Sequence, residues 1–139
     1  MGMFTWNDGY LLGVPIIDSE HRKLFALADE VNESVIHGDN TRTQKELLTR
    51  FLNALVLHFE HEEGLMNHYQ YPDIEDHADE HSTFSAQMMR LKRQLEAGAI
   101  TLPLDSMQTV RHWFDRHIRR YDHLLVRHIK THDTIGLPV

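Results

Sequence analysis

The sequence has no cysteine among its 139 residues. That absence excludes disulfide staples, thiolate zinc sites, iron-sulfur clusters and thiol nucleophiles together. Any metal must therefore be held by nitrogen and oxygen. No apolar run approaches the length needed to cross a bilayer, and the N-terminus lacks the basic region, apolar core and small-residue cleavage site of a signal peptide. The expectation is a soluble cytoplasmic protein without a membrane partner. Basic charge is also in short supply, with 14 Lys and Arg against 21 Asp and Glu, a formal net charge of -7. A phosphate-binding surface would have to overcome that field. The arginine-rich stretch from Arg111 to Lys130 reads as a solvated helix face that complements the negative end of the helix dipole, so nucleic acid is not an expected partner. What is abundant is histidine, at 12 residues. Because histidine serves both as a metal ligand and as an ordinary surface residue, its spacing has to decide.

The first seventeen residues, with Gly2, Gly9, Gly13 and Pro15 among scattered apolar side chains, read as an irregular arm pinned by Trp6 and Tyr10. Asp18, a good N-cap, precedes apolar residues at Leu24, Phe25, Ala28, Val31 and Val35, which end at Gly38. Thr43 and Glu46 form a capping-box pattern before Leu48, Phe51, Leu52, Leu55, Phe59 and Met66, which end before Pro72. Steps of four and three link His77, His81, Phe84, Met88, Leu91 and Leu95 up to Gly98. After Pro103, Asp105 with Gln108 opens a fourth stripe through Val110, Trp113, Phe114 and His117. These stripes predict helices over about 18–37, 42–69, 73–97 and 105–132. With short connections and no strand-like alternation, they predict an all-α, antiparallel up-down-up-down four-helix bundle spanning residues 1–139 as one domain.

In these stripes titratable residues occupy positions where a plain bundle places leucine, which is costly unless something compensates. They are His21, His58 and Glu62, His77 and His81, and His117 with nearby Asp122. Residues four apart, as in His58/Glu62 and His77/His81, share a helix face and can chelate one metal or bridge two. One such pair is weak, but depth adds to it. In an antiparallel bundle the start of the first helix is level with the end of the second, the start of the third and the end of the fourth, and all seven residues fall at that level. Imidazole and carboxylate donors suit iron, zinc, copper or manganese better than calcium or magnesium. Seven ligands exceed the needs of one first-row ion. Shared between two, with both carboxylates and a solvent-derived oxide or hydroxide bridging, they make one ion six-coordinate and leave the other an open position.

The step from His117 to Asp122 is five residues, which on a regular helix turns Asp122 about 140° away. Leu125, Val126 and Ile129 follow the frame of Asp122, whereas Val110, Trp113 and Phe114 follow that of His117. A one-residue register shift between them, a π-bulge, is expected, since such bulges recur at functional sites. The competing reading keeps the helix regular, turns Leu124 and His128 inward and leaves Asp122 on the surface. Glu63 reads either as an exposed acid or as the partner of a ligating histidine. His37, His61, His68, His112, His123, His128 and His132 are expected at the surface or in loops, without a ligand role.

Ile17-Asp18-Ser19-Glu20-His21, the run from His58 to Met66, Tyr71-Pro72 leading to His77 and His81, and Trp113-Phe114-Asp115-Arg116-His117 with Asp122 together resemble the hemerythrin family, specifically single-domain bacteriohemerythrins. The match covers nearly the whole chain and fills every ligand position. The resemblance implies two iron ions with an oxo or hydroxo bridge. His77, His81 and His117 would hold one, His21 and His58 the other, and Glu62 and Asp122 would bridge. It further implies end-on dioxygen binding at the two-histidine iron, in a pocket lined by Leu24, Phe59, Trp113, Phe114 and Ile118 that excludes water and protons. Phe114 stands where many relatives carry leucine.

Reversible dioxygen binding for storage, transport or sensing is therefore the expected function, by a monomer that is not an enzyme and draws electrons from a redox partner protein. The alternative is a di-iron redox enzyme, such as a peroxidase, ferroxidase or nitric oxide reductase. Ferritin-like oxidation sites use carboxylate-rich Glu-x-x-His pairs. Here histidine outnumbers carboxylate five to two among the candidate ligands, which favours reversible binding. An iron-dependent sensor would need an output protein supplied in trans.

Overall fold

The structure is a computed structural model that describes residues 3–99, 101–103 and 105–132. The expected domain limits, 1 and 139, lie outside the described residues. Pro15 opens α1, Pro15–Ile36, because its fixed φ suits the first helical position and its missing N–H costs nothing there. The helix thus begins before Asp18, the expected cap. Asp18 lies within the first turn, where its carboxylate accepts from the backbone N–H groups of Leu12 and Gly13 at 2.9 and 3.0 Å. It secures the arm rather than the helix end. Trp6 and Tyr10 do pin that arm, their rings packing on Phe25 at 5.3 and 4.8 Å.

Helix α2, Thr41–His68, is capped by Asn40, whose side chain accepts from Thr43 N–H at 2.9 Å. Asn40 holds the extended backbone an N-cap requires, whereas Thr43 is already helical, so the expected Thr43–Glu46 box does not form. Glu46 pairs with Arg42 instead. At the following corner Gln70 takes a left-handed φ of 51°, a conformation that disfavours any residue with a Cβ. The corner leads into α3, Ile74–Glu96. The last rod comprises α4, Ser106–Arg116, a π-helical turn from His117 to Asp122, and α5, His123–His132. Asp105 precedes α4 with helical backbone angles, and its side chain makes no capping bond. The expected Asp105–Gln108 box is therefore absent.

Helix α1 packs on α2 and α4, and α2 packs on α3. Among the described residues there is no strand, and no helix is long and apolar enough to cross a membrane.

The buried apolar side chains fall into two clusters. The larger includes Leu24, Phe25, Leu55, Phe59, Phe84, Val110 and Phe114. The smaller holds Val14, Ile17, Met66, Tyr69, Tyr71, Leu125, Val126 and Ile129. Ile17 precedes His21, Met66 follows Glu62, Tyr71 precedes His77 and Leu125 follows Asp122, so the smaller cluster closes one end of the bundle. The seven polar candidates form a layer between the two. Apolar packing above and below a polar layer deprives it of water, so its charges must be compensated from within.

Candidate metal centre

All seven candidate ligands are buried, none more than 2% exposed. The π-turn brings the seventh into the core. His117 and Asp122 both point inward, at 1% and 0% exposure, because the wider turn absorbs one extra residue. Downstream, Leu125 is buried and Leu124 is 44% exposed. The regular-helix reading is thereby excluded, since it would have exposed Asp122 and buried Leu124.

The two carboxylates divide their oxygens between two groups of histidines. Glu62 Oε1 lies 3.1 Å from His81 Nε2 and 3.5 Å from His77 Nε2. Its Oε2 lies 2.9 Å from His58 Nε2 and 3.5 Å from His21 Nε2. Asp122 Oδ1 is 3.0 Å from His77 Nε2 and 3.2 Å from His117 Nε2, while Oδ2 is 2.9 Å from His21 Nε2. The donor atoms form two converging groups, Glu62, His77, His81, His117 and Asp122 on one side and His21, His58, Glu62 and Asp122 on the other. Both carboxylates belong to both.

The polar atoms themselves test whether metal fits. Both oxygens of Glu62 and of Asp122, and both ring nitrogens of His21 and His77, are buried without a hydrogen-bond partner among the described residues. Of these atoms, the carboxylate oxygens and the two Nε2 atoms face one another at 2.9 to 3.5 Å. His81 Nδ1 donates to Glu63 Oε2 at 2.9 Å, so in the neutral ring the inward Nε2 carries a lone pair. That nitrogen lies 3.1 Å from His117 Nε2. Without metal, His117 Nε2–H can donate to that lone pair, and its own Nδ1 is then left buried without a hydrogen-bond partner among the described residues. Among the described residues the ion partners of the two buried carboxylates are histidines alone, and uncompensated buried charge costs several kcal/mol. Two metal ions, one per group, would satisfy the Nε2 and carboxylate donors.

Where protons take the place of metal, the histidines carry the compensation. Burial alone would lower His58, but the charge of Glu62 at 2.9 Å and the hydrogen bond to Glu20 raise it to about 10. His77 is raised to about 9, its burial outweighed by the close carboxylates of Asp122 and Glu62 at 3.0 and 3.5 Å. Burial opposes ionisation of Glu62 and Asp122, yet neighbouring histidines hold both below the ordinary carboxylate range. His117 is lowered, burial being the chief cause. The raised histidines stabilise the metal-free fold fully below pH about 6.5 and lose that contribution as pH climbs through about 9 to 10. The depressed carboxylates contribute above the ordinary carboxylate range and fail only in strong acid. Chelator-treated protein is therefore expected to melt at lower temperature at pH 10 than at pH 7. Metal-loaded protein should hold its melting temperature across that interval. Parallel melting curves for the two forms would contradict this assignment.

Two further carboxylates touch the layer from outside. Glu63 resolves to the partner of His81. Glu20, which no helical stripe singles out, accepts from His58 Nδ1 at 2.8 Å and from His61 Nδ1. Of the expected pocket residues, Phe59 stacks on His81 at 3.8 Å and Trp113 on His117 at 4.3 Å. Leu24, Phe114 and Ile118 are buried in the larger apolar cluster, where Phe114 packs on Phe25, Phe51 and Phe84. Outside the layer, His37, His61, His68, His112, His123 and His132 are exposed as expected, whereas His128, expected at the surface, is half-buried with its Nε2 2.7 Å from the Tyr69 carbonyl oxygen.

The family model of the Hemerythrin HHE cation binding domain matches residues 12–135. The chain belongs to the hemerythrin family. It is 26% identical over 125 residues to a bacteriohemerythrin of Methylococcus capsulatus, a match spanning 89% of this chain and 95% of that protein. It is 33% identical over 85 residues to the hemerythrin alpha subunit of Lingula reevii, spanning 61% and 66% of the two chains. The crystal structure of a wild-type hemerythrin superposes with a TM-score of 0.84 at 24% identity, covering 90% of this chain and 96% of that one. That structure bears on the fold alone, and the fold is the all-α four-helix bundle.

Proposed function

We propose that this chain binds dioxygen reversibly at two iron ions. His77, His81 and His117 hold one ion, His21 and His58 the other, and Glu62 and Asp122 bridge the pair. The observation that carries this reading is the division of each carboxylate's oxygens between a three-histidine and a two-histidine group. With shared bridges, that asymmetry leaves the two-histidine ion one protein ligand fewer, and so a position for a small molecule. When bound, the iron pair supplies the two electrons needed to hold dioxygen.

The protein's own contribution is exclusion and orientation. Apolar clusters on both sides of the layer, with Phe59 and Trp113 against the histidines, keep water and protons from the reacting position. Stacking of Phe59 on His81 and Trp113 on His117 fixes the planes of two rings. Five histidines to two carboxylates favour binding over oxidation of a substrate. In the same reading one hemerythrin-like domain spans residues 1–139 and acts as a cytoplasmic monomer, with a redox protein restoring the reduced state.

The test is anaerobic reduction of the iron-loaded protein, followed by repeated admission and removal of air while visible absorption is recorded. A charge-transfer band that appears and disappears over many cycles is expected. One-way bleaching coupled to consumption of a substrate would instead establish a redox enzyme.

A further inference from the structure

The hydrogen bonds outside the metal layer follow a rule of their own. Glu20 on α1 accepts from the outer nitrogen of His58 on α2, and Glu63 on α2 accepts from the outer nitrogen of His81 on α3, at 2.8 and 2.9 Å. The first two helices thus each support a candidate ligand of the next helix in the chain, and each supporting glutamate adjoins a candidate ligand in sequence, His21 or Glu62. A residue one position along a helix points about 100° around the axis. The neighbour of an inward-facing ligand therefore faces the cleft with the adjoining helix. There is one support for each metal position, since His58 belongs to the two-histidine group and His81 to the three-histidine group.

The two supports differ in how they are held. Glu63 is 39% exposed at its side chain and borders an open groove of about 340 Å³, also lined by Val56, Phe59, Ser82 and His81. Glu20 is 22% exposed and its second oxygen accepts from His61 Nδ1. His58 and His61 are three apart on α2 and so share a face. Glu20 spans both, one oxygen to each ring. His61 is itself 42% exposed and contributes no donor to the layer.

We propose that Glu20 is a positioning residue for the open metal position, acting through His58, and that the surface residue His61 clamps it in place, with Glu63 serving His81 alone. The proposal rests on the two-metal reading above. A carboxylate on the outer N–H fixes the tautomer with the inner nitrogen free to ligate, fixes the ring's orientation and increases its donor strength. Because each glutamate serves one position, its removal should weaken one metal selectively. Among the described residues the His61 side chain pairs with Glu20 and with no candidate ligand, so its route to His58 runs through Glu20.

Cobalt(II), taken up without dioxygen, is the probe. Titration against a chromophoric chelator gives the two stepwise affinities, and the visible spectrum reports coordination of each ion. Glu20→Gln keeps size and an acceptor oxygen but removes the charge. It should weaken one of the two affinities by about 10- to 100-fold and leave the other within about twofold. Glu63→Gln should weaken the other one. His61→Ala should move the same affinity as Glu20→Gln by a smaller factor and add little in the double variant, because the two act in series. Circular dichroism of the metal-free variants checks the fold, and Glu20→Asp serves if the glutamine variant is unfolded. Unchanged affinities and spectrum in Glu20→Gln, or equal weakening of both ions, would overturn the proposal while leaving the two-metal reading intact. A parent protein that takes up no cobalt would overturn both.

Discussion

Deletion of Arg120 is expected to leave the bundle folded while destroying the paired metal site. Arg120 is exposed and lies within the π-helical turn. Removing one residue there leaves His117 four positions before the aspartate, the spacing of a regular helix. Val110, Trp113, Phe114 and His117 then join Leu125, Val126 and Ile129 in one continuous stripe, so the apolar face survives. Closing the wide turn turns the π-helical step into regular helix, so circular dichroism should show the helix content retained. The carboxylate, however, moves along the axis by about 1.5 Å, one residue's rise. A multi-ligand site tolerates about 0.5 Å, and this carboxylate must reach His77, His117 and His21 at 3.0, 3.2 and 2.9 Å. Metal titration should show the second ion lost and the first weakened at least about 100-fold. Two ions bound at parental affinity would show that the turn is incidental. Loss of helicity would show that it serves folding instead.

Substitution of Glu62 by alanine should have the other large effect, because that side chain faces four histidines at once. Ligands that bind only the folded state stabilise it by about 4 kcal/mol at a thousandfold excess over Kd, which in a chain of this size raises the melting temperature by on the order of 10 °C. The parent should show that rise on loading. The variant should lose most of it, since neither ion keeps its full donor set and His58 loses the charge that raises it. Glu60→Ala, a change at an exposed position on the same helix, should keep the rise. Differential scanning calorimetry with and without metal distinguishes them, and an undiminished rise in Glu62→Ala would remove Glu62 from the bridge.

The features legible in the sequence are those that helical periodicity dictates. Seven titratable residues interrupt apolar stripes at one depth, and the change of stripe phase after His117 reveals the π-turn, because Leu125, Val126 and Ile129 can be buried only if Asp122 is. Helix starts were less legible. Asp18 can cap a helix or hold a preceding loop, and the choice depends on Pro15 and on where Leu12 and Gly13 run. Asn40 took the role assigned to Thr43 because an N-cap needs an extended backbone, which residue type alone does not specify. The support of His58 by Glu20 was hidden for a different reason. It depends on the rotation of α1 against α2, to which a stripe along either helix is blind. Phe59 and Trp113 would be buried in any bundle, so only their stacking on His81 and His117 distinguishes them from ordinary core.

Two ions sharing Glu62 and Asp122 is the claim on which the functional reading stands. Anomalous scattering from crystals of iron-loaded protein tests it most directly. Two peaks are expected, one within bonding distance of His77, His81 and His117, the other of His21 and His58, with each bridging carboxylate contacting both. A single peak held by one group of histidines, or peaks at the surface only, would contradict it.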